Sequence, residues 1–99
     1  MIFDEIDRGV GGAVASAIGE RLARLAESGQ VIVVTHSPQV AARGGSHMLI
    51  AKSSEGTVTR TDVKPLDDAG RREEIARMLS GADITAEARA QADRLLEGV

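Results

Sequence analysis

Ile2-Phe3-Asp4-Glu5-Ile6-Asp7-Arg8-Gly9-Val10-Gly11-Gly12 opens the chain, and Val31-Ile32-Val33-Val34-Thr35-His36-Ser37-Pro38 answers it after one intervening segment. Each stretch is an apolar run of strand-forming residues that stops abruptly in polar ones. Between them, Ala13 to Ser28 puts Val14, Ile18, Leu22, Leu25 and Ala26 on one helical stripe, with Glu20, Arg21, Arg24 and Glu27 largely off it. Gly29 suits the residue just past a helix end. Strand, helix, strand at this spacing predicts a βαβ unit with two parallel strands. Met1-Ile2-Phe3 is shorter than a usual buried strand and reads as the last part of one. Val31 to Val34 is apolar on both faces, which predicts a central strand covered on both sides.

Further along, Pro38 fits the first turn of a short helix through about Arg43, stopped by Gly44-Gly45. Gly45-Ser46-His47-Met48 reads as a loop passing into a strand. Met48 to Lys52 and Thr57 to Val63 predict two strands joined in a hairpin at Ser53-Ser54-Glu55-Gly56. Asp67 or Asp68 can cap a helix that carries Ile75, Met78 and Leu79 and ends at Gly81. Thr85 can cap a last helix with Ala88, Ala92, Leu95 and Leu96 on its buried side. The order β-α-β-α-β-β-α-α predicts an α/β sheet, parallel members first and an antiparallel edge later.

Composition narrows the class. The 99 residues are one small domain or part of a larger one, 42% hydrophobic and 27% charged, the balance of a water-soluble fold. Phe3 is the sole aromatic, so the core is built from Ile, Leu, Val, Met and Ala. A net charge of -3 advertises no broad nucleic-acid surface. The absence of cysteine excludes disulfides and thiolate metal sites and fits a cytoplasmic protein. No signal-peptide pattern and no apolar run of membrane-spanning length is present.

The chemistry lies at the two strand ends. Ligands of open α/β sheets bind beyond the carboxyl ends of the strands. If the two strands are neighbours, Asp4, Glu5 and His36 converge there. Two acids and a histidine suit metal-assisted phosphoryl transfer. Mg²⁺ takes one or two carboxylates together with phosphate oxygens and waters. An aspartate ending an apolar strand can hold the ion, as a Walker B residue does. A following glutamate can orient or deprotonate water, and a histidine at the next strand end can bond a terminal phosphate. A different Mg²⁺-dependent phosphotransfer domain using Asp4 and Asp7 is a weaker alternative, because Asp-x-x-Asp spacing is common by chance.

These motifs taken together resemble the SMC-like branch of ABC-type ATPases, and within it the RecN family of bacterial DNA-repair proteins. Asp4-Glu5-Ile6-Asp7-Arg8-Gly9-Val10-Gly11-Gly12 resembles that family's Walker B and D-loop segment. Thr35-His36-Ser37-Pro38-Gln39-Val40-Ala41-Ala42 resembles its H-loop. Arg72 to Gly81 is similar to its late helix and Thr85 to Leu96 to its closing helix. The resemblance covers essentially the whole chain. It implies a P-loop NTPase fold, as the C-terminal lobe of an ABC/SMC-type ATPase head spanning residues 1–99. It implies that Asp4 coordinates Mg²⁺, that Glu5 is the catalytic base, and that His36 contacts the γ-phosphate of ATP. Asp7, Gly9, Gly11 and Gly12 would belong to a loop that crosses between two heads, glycine allowing close approach. Gln39 and Arg43 match the family string without a chemical role.

Other parts of such a head are not in this sequence. There is no G-x-x-x-x-G-K-[S/T] phosphate loop, and Leu79-Ser80-Gly81 only echoes an ABC signature, being followed by Ala82. The expectation is a chain that hydrolyses no ATP alone. Its implied partners are a Walker A-bearing N-terminal lobe and a second head, with DNA reached indirectly through the full protein, near the bacterial nucleoid and with no membrane. The competing expectation is a catalytically inert module that keeps the head fold and pairs with such a lobe or head.

Overall fold

The computed structural model describes residues 1–81 and 83–97. Its first half is the βαβ unit. Strands β1 (Ile2–Asp4) and β2 (Ile32–Val34) pair in parallel, with Ile2 opposite Ile32, Phe3 opposite Val33 and Asp4 opposite Val34. Helix α1 (Gly12–Ala26) forms the crossover, and α2 (Pro38–Ala41) follows β2. Phe3 and Val33 point to one face, where with Val31, Ile18 and Leu25 they pack against buried Ala15, Leu22 and Val40.

The face opposite is open. Ile2 is 74% exposed and Ile32 44%, with Val34 close behind at 37%. The expectation of a strand covered on both sides is therefore half met: α1 and α2 supply one layer, and no described element supplies the other. The buried stripe of α1 is also rotated from the predicted one. Ala15, Gly19 and Leu22 are buried, whereas Val14 is 52% exposed and Ala26 is exposed. Small residues set this face. A β-carbon on Gly19 would stand 2.9 Å from Arg43 Cγ and 3.1 Å from the Gln39 carbonyl oxygen, so α1 meets α2 where a side chain would not fit.

The second half begins with the hairpin of β3 (Met48–Glu55) and β4 (Val58–Pro65), antiparallel from Met48 opposite Pro65 to Glu55 opposite Val58. The turn is tighter than the predicted Ser53–Gly56. Gly56 takes a positive φ of 62° and starts a loop closed between Glu55 and Val58, leaving Ser53, Ser54 and Glu55 in the ladder. The hairpin is a sheet of its own, not an antiparallel edge on the first sheet.

Helices α3 (Asp68–Ser80) and α4 (Ala86–Glu97) complete the chain. Asp67 caps α3, its carboxylate accepting from the Gly70 amide at 2.7 Å. Gly81 ends it with a positive φ of 81°. Thr85 caps α4 by accepting from the Ala88 amide at 3.0 Å. A second core joins Ala42, Ile75, Ala76, Ala88 and Ala92, flanked by Leu79, Ile84, Leu95 and Leu96. Buried Glu74 is gripped along the helix by Arg77, and that hydrogen bond raises the guanidinium pKa.

The short helix α2 links the two cores, with Val40 in one and Ala42 in the other. Ser37 caps its start, accepting from the Val40 amide at 3.4 Å. Arg71 of α3 closes its end, donating to the carbonyls of Ala41 and Ala42 at 3.1 Å each and to that of Gly44. Ala41 and Ala42 lie at the end of α2, where helix carbonyls run short of intrahelical donors.

Gly19 gives a direct check of this packing. Glycine inside a helix normally costs about 1 kcal/mol relative to alanine, but the approach of α2 reverses the sign for a branched side chain. Gly19→Val is expected to destabilise the chain by about 1–3 kcal/mol in urea denaturation. Gly29→Ala, whose β-carbon meets nothing within 4 Å, should change stability by under about 0.5 kcal/mol.

Candidate functional site

The parallel ladder runs one residue past β1, the Glu5 amide donating to the Val34 carbonyl at 2.7 Å. There the backbone turns. Glu5 has a φ of 50°, the one non-glycine residue in the left-handed region among the described residues. A side chain in that region stores of order 1 kcal/mol of strain and marks a position held by its surroundings. The turn is fixed by the Arg8 amide donating to the Glu5 carbonyl at 3.2 Å.

This geometry joins two of the sequence candidates. His36 Nε2 lies 2.8 Å from Glu5 Oε1, so the imidazole donates to the carboxylate. Glu5 is 29% exposed at its side chain and His36 92%. The second Glu5 oxygen faces Arg8 at 3.8 Å, beyond hydrogen-bond reach. Asp4 ends β1 opposite Val34 and is exposed. A cleft of about 320 Å³ opens beside the pair, lined by Glu5, Asp7, Arg8, Gly9, His36 and Ser37. A hollow of about 440 Å³ between α3 and α4, lined by residues that include Asp68, Arg71, Arg72 and Asp93, lies apart from these groups.

Asp7 is placed differently from Asp4. It is 7% exposed, and its carboxylate accepts from the Thr35 hydroxyl. The Thr35 oxygen in turn accepts from the Ser37 amide at 2.9 Å. Of the three loop glycines, Gly9 has a positive φ of 78°, which a β-carbon would strain. Gly11 occupies the cap of α1 with φ -74°, and a β-carbon on Gly12 would meet Gln39 Nε2 at 3.4 Å, an ordinary contact. Gln39 accepts from the Ser37 hydroxyl at 3.0 Å, and Arg43 reaches Glu20 at 3.4 Å. Sequence reasoning passed over Thr35. The available signal was a hydroxyl residue ending an apolar strand directly before the histidine.

The donor set fits Mg²⁺ with phosphate. Among the described residues no three acidic or imidazole groups form a closed cation cage, and Mg²⁺ needs none, since it takes one or two carboxylates and fills its sphere with phosphate oxygens and water. Asp4 is an exposed oxygen donor adjacent in the chain to a carboxylate already oriented by an imidazole.

The chain superposes on a solved structure described as "Structural biochemistry of ATP-driven dimerization and DNA stimulated activation of SMC ATPases", with TM-score 0.62 and 18% identity, over 84% of this chain and 49% of that one. The mixed α/β architecture is thus the fold of about half of that SMC ATPase chain. The sequence is more specific: it is 53% identical over 96 residues to DNA repair protein RecN of Streptomyces coelicolor, 47% over 97 residues to that of Xylella fastidiosa, and 52% over 85 residues to that of Rickettsia felis. These alignments cover 97%, 98% and 86% of this chain. The chain spans 17%, 17% and 16% of the length of those relatives. No protein-family model matches it.

The two polar contacts should separate cleanly in stability. His36 is exposed, so His36→Ala is expected to shift the unfolding free energy by under about 1 kcal/mol. Thr35→Val leaves the Asp7 carboxylate buried without its donor and should cost about 1–3 kcal/mol. Urea denaturation of both variants reads the contrast; equal costs would contradict this division of roles.

Proposed function

We propose that this chain is the C-terminal lobe of a RecN-like DNA-repair ATPase head and supplies the Walker B, D-loop and H-loop part of a composite Mg-ATP site. The observation that carries the proposal is the Glu5–His36 contact of 2.8 Å, formed at the carboxyl ends of paired parallel strands and beside a cleft. In this reading one Glu5 oxygen accepts from His36, and the other, 3.8 Å from Arg8, would take a proton from the attacking water. The imidazole holds the carboxylate in place and stands, largely exposed, where a terminal phosphate can reach it. Asp4 would hold Mg²⁺, which when bound neutralises charge building on the phosphate oxygens. The exposed Gly9-Val10-Gly11-Gly12 run would present backbone to a second head, with Asp7 at its root.

The site is partial because phosphate binding depends chiefly on a lysine-bearing glycine loop, and these residues contain none. A complementary lobe would bring it, meeting the open apolar face of Ile2, Ile32 and Val34. DNA contact would belong to the assembled protein.

Mixing the purified chain with the Walker A-bearing lobe of a RecN-like head tests this. Mg-ATP hydrolysis should be absent from either piece, present on mixing, and reduced about 100-fold or more by Glu5→Gln, the scale of a lost general base. Binding without turnover would assign the chain instead to an inert pairing module. Turnover by the chain alone, or full activity in Glu5→Gln, would remove the proposed role.

A further inference from the structure

We infer that Asp7 is a positioning residue for His36, acting through the Thr35 hydroxyl within this chain rather than on metal, nucleotide or a second head. The inference rests on the reading of Glu5 and His36 as the catalytic pair. His36 needs such support because its side chain is 92% exposed and its contact with Glu5 is to a single carboxylate oxygen. Its location therefore depends also on the backbone on either side of it.

That backbone is pinned at Thr35 and Ser37. The Thr35 hydroxyl donates to Asp7 and accepts from the Ser37 amide at 2.9 Å, so one oxygen closes the turn that contains His36 and ties it to the loop after β1. Ser37 extends the brace into α2 by accepting from the Val40 amide at 3.4 Å and donating to Gln39 Oε1 at 3.0 Å. A hydroxyl has a single proton. Directed to Asp7, it leaves the lone pairs of the Thr35 oxygen for the Ser37 amide, so the carboxylate fixes the sense of the whole relay. Asp7 is itself 7% exposed, which leaves its carboxylate little access to a cation or a partner chain. Asp7 and Glu5 leave the same strand end, so the loop that aims the base also anchors the histidine it contacts.

A double-mutant cycle with two readouts tests the relay. In this chain, Asp7→Ala and Thr35→Val should each speed hydrogen exchange of the Ser37 amide about tenfold, the loss of one buried hydrogen bond, and the double variant should exchange no faster than either. In the head assembled with its complementary lobe, each single variant should lower kcat about tenfold with KM for Mg-ATP unchanged within about twofold, and the double should be no worse. Asp7→Asn and Thr35→Ser keep an acceptor and a hydroxyl, fold as the parent does, and should recover most of the lost kcat. Multiplying losses would overturn the inference, as would a Thr35→Val head with parental kcat beside an impaired Asp7→Ala head. An assembled head with no turnover at all would sink the proposed function instead, and the exchange cycle would still decide whether the relay exists.

Discussion

The pairing of β1 with β2 is the constraint on which the rest depends. Three residue pairs define it, flanked by the Ile32 amide bonding the Met1 carbonyl at 2.9 Å and the Glu5 amide bonding the Val34 carbonyl at 2.7 Å. Side chains alternate across a strand, so a slip of one residue would turn Phe3 or Val33 away from the helices and move Glu5 off the level of His36. A ladder this short does not hold itself. Its register is selected because Phe3 and Val33 fill the space under α1 and α2, against Ala15, Leu22 and Val40. Packing beneath the sheet thus places the acid and the imidazole at its rim.

The helices that impose this register meet through small residues. Gly19 lets α1 approach α2, and α2 carries Val40 into the first core and Ala42 into the second. Phe3, the sole aromatic, packs against the first core, the second is built from aliphatic residues, and close approach makes up for side-chain bulk. Arg71 binding the end of α2 and Ser37 capping its start hold this four-residue helix between the halves. The segment bearing His36 runs directly into it, so core packing and site geometry share one short element.

Local order was legible in the sequence where local chemistry determines it. The βαβ unit, the caps Asp67 and Thr85, the stop at Gly81 and the buried side of α4 follow from spacing and from residues whose side chains bond nearby backbone. Position 56 was legible as a turn but not its length, because only the positive φ of Gly56 shows that the loop closes between Glu55 and Val58. The face of α1 was misread because hydrophobicity favours Val14 over Ala15, while the packing of α2 favours the smaller residue. The open face of β2 was hidden for a related reason: a strand made to be covered on both sides reads alike whether its second layer is in the same stretch of chain or elsewhere. Glu5 and His36 were visible as strand-end residues. The Asp7–Thr35 bond was not, since it joins positions whose nearness exists only in the fold.

In the proposed role these residues form a prepared nucleotide site whose acid and histidine would engage Mg-ATP once a phosphate-binding lobe is present. Amide chemical shifts of the isotope-labelled chain, titrated with a non-hydrolysable Mg-ATP analogue with and without that lobe, test it most directly. Asp4, Glu5 and His36 are expected to stay unmoved by nucleotide in the chain alone and to shift, with saturation, in the assembled head. Saturable shifts at these residues without the lobe, or none when the lobe and nucleotide are both bound, would contradict it.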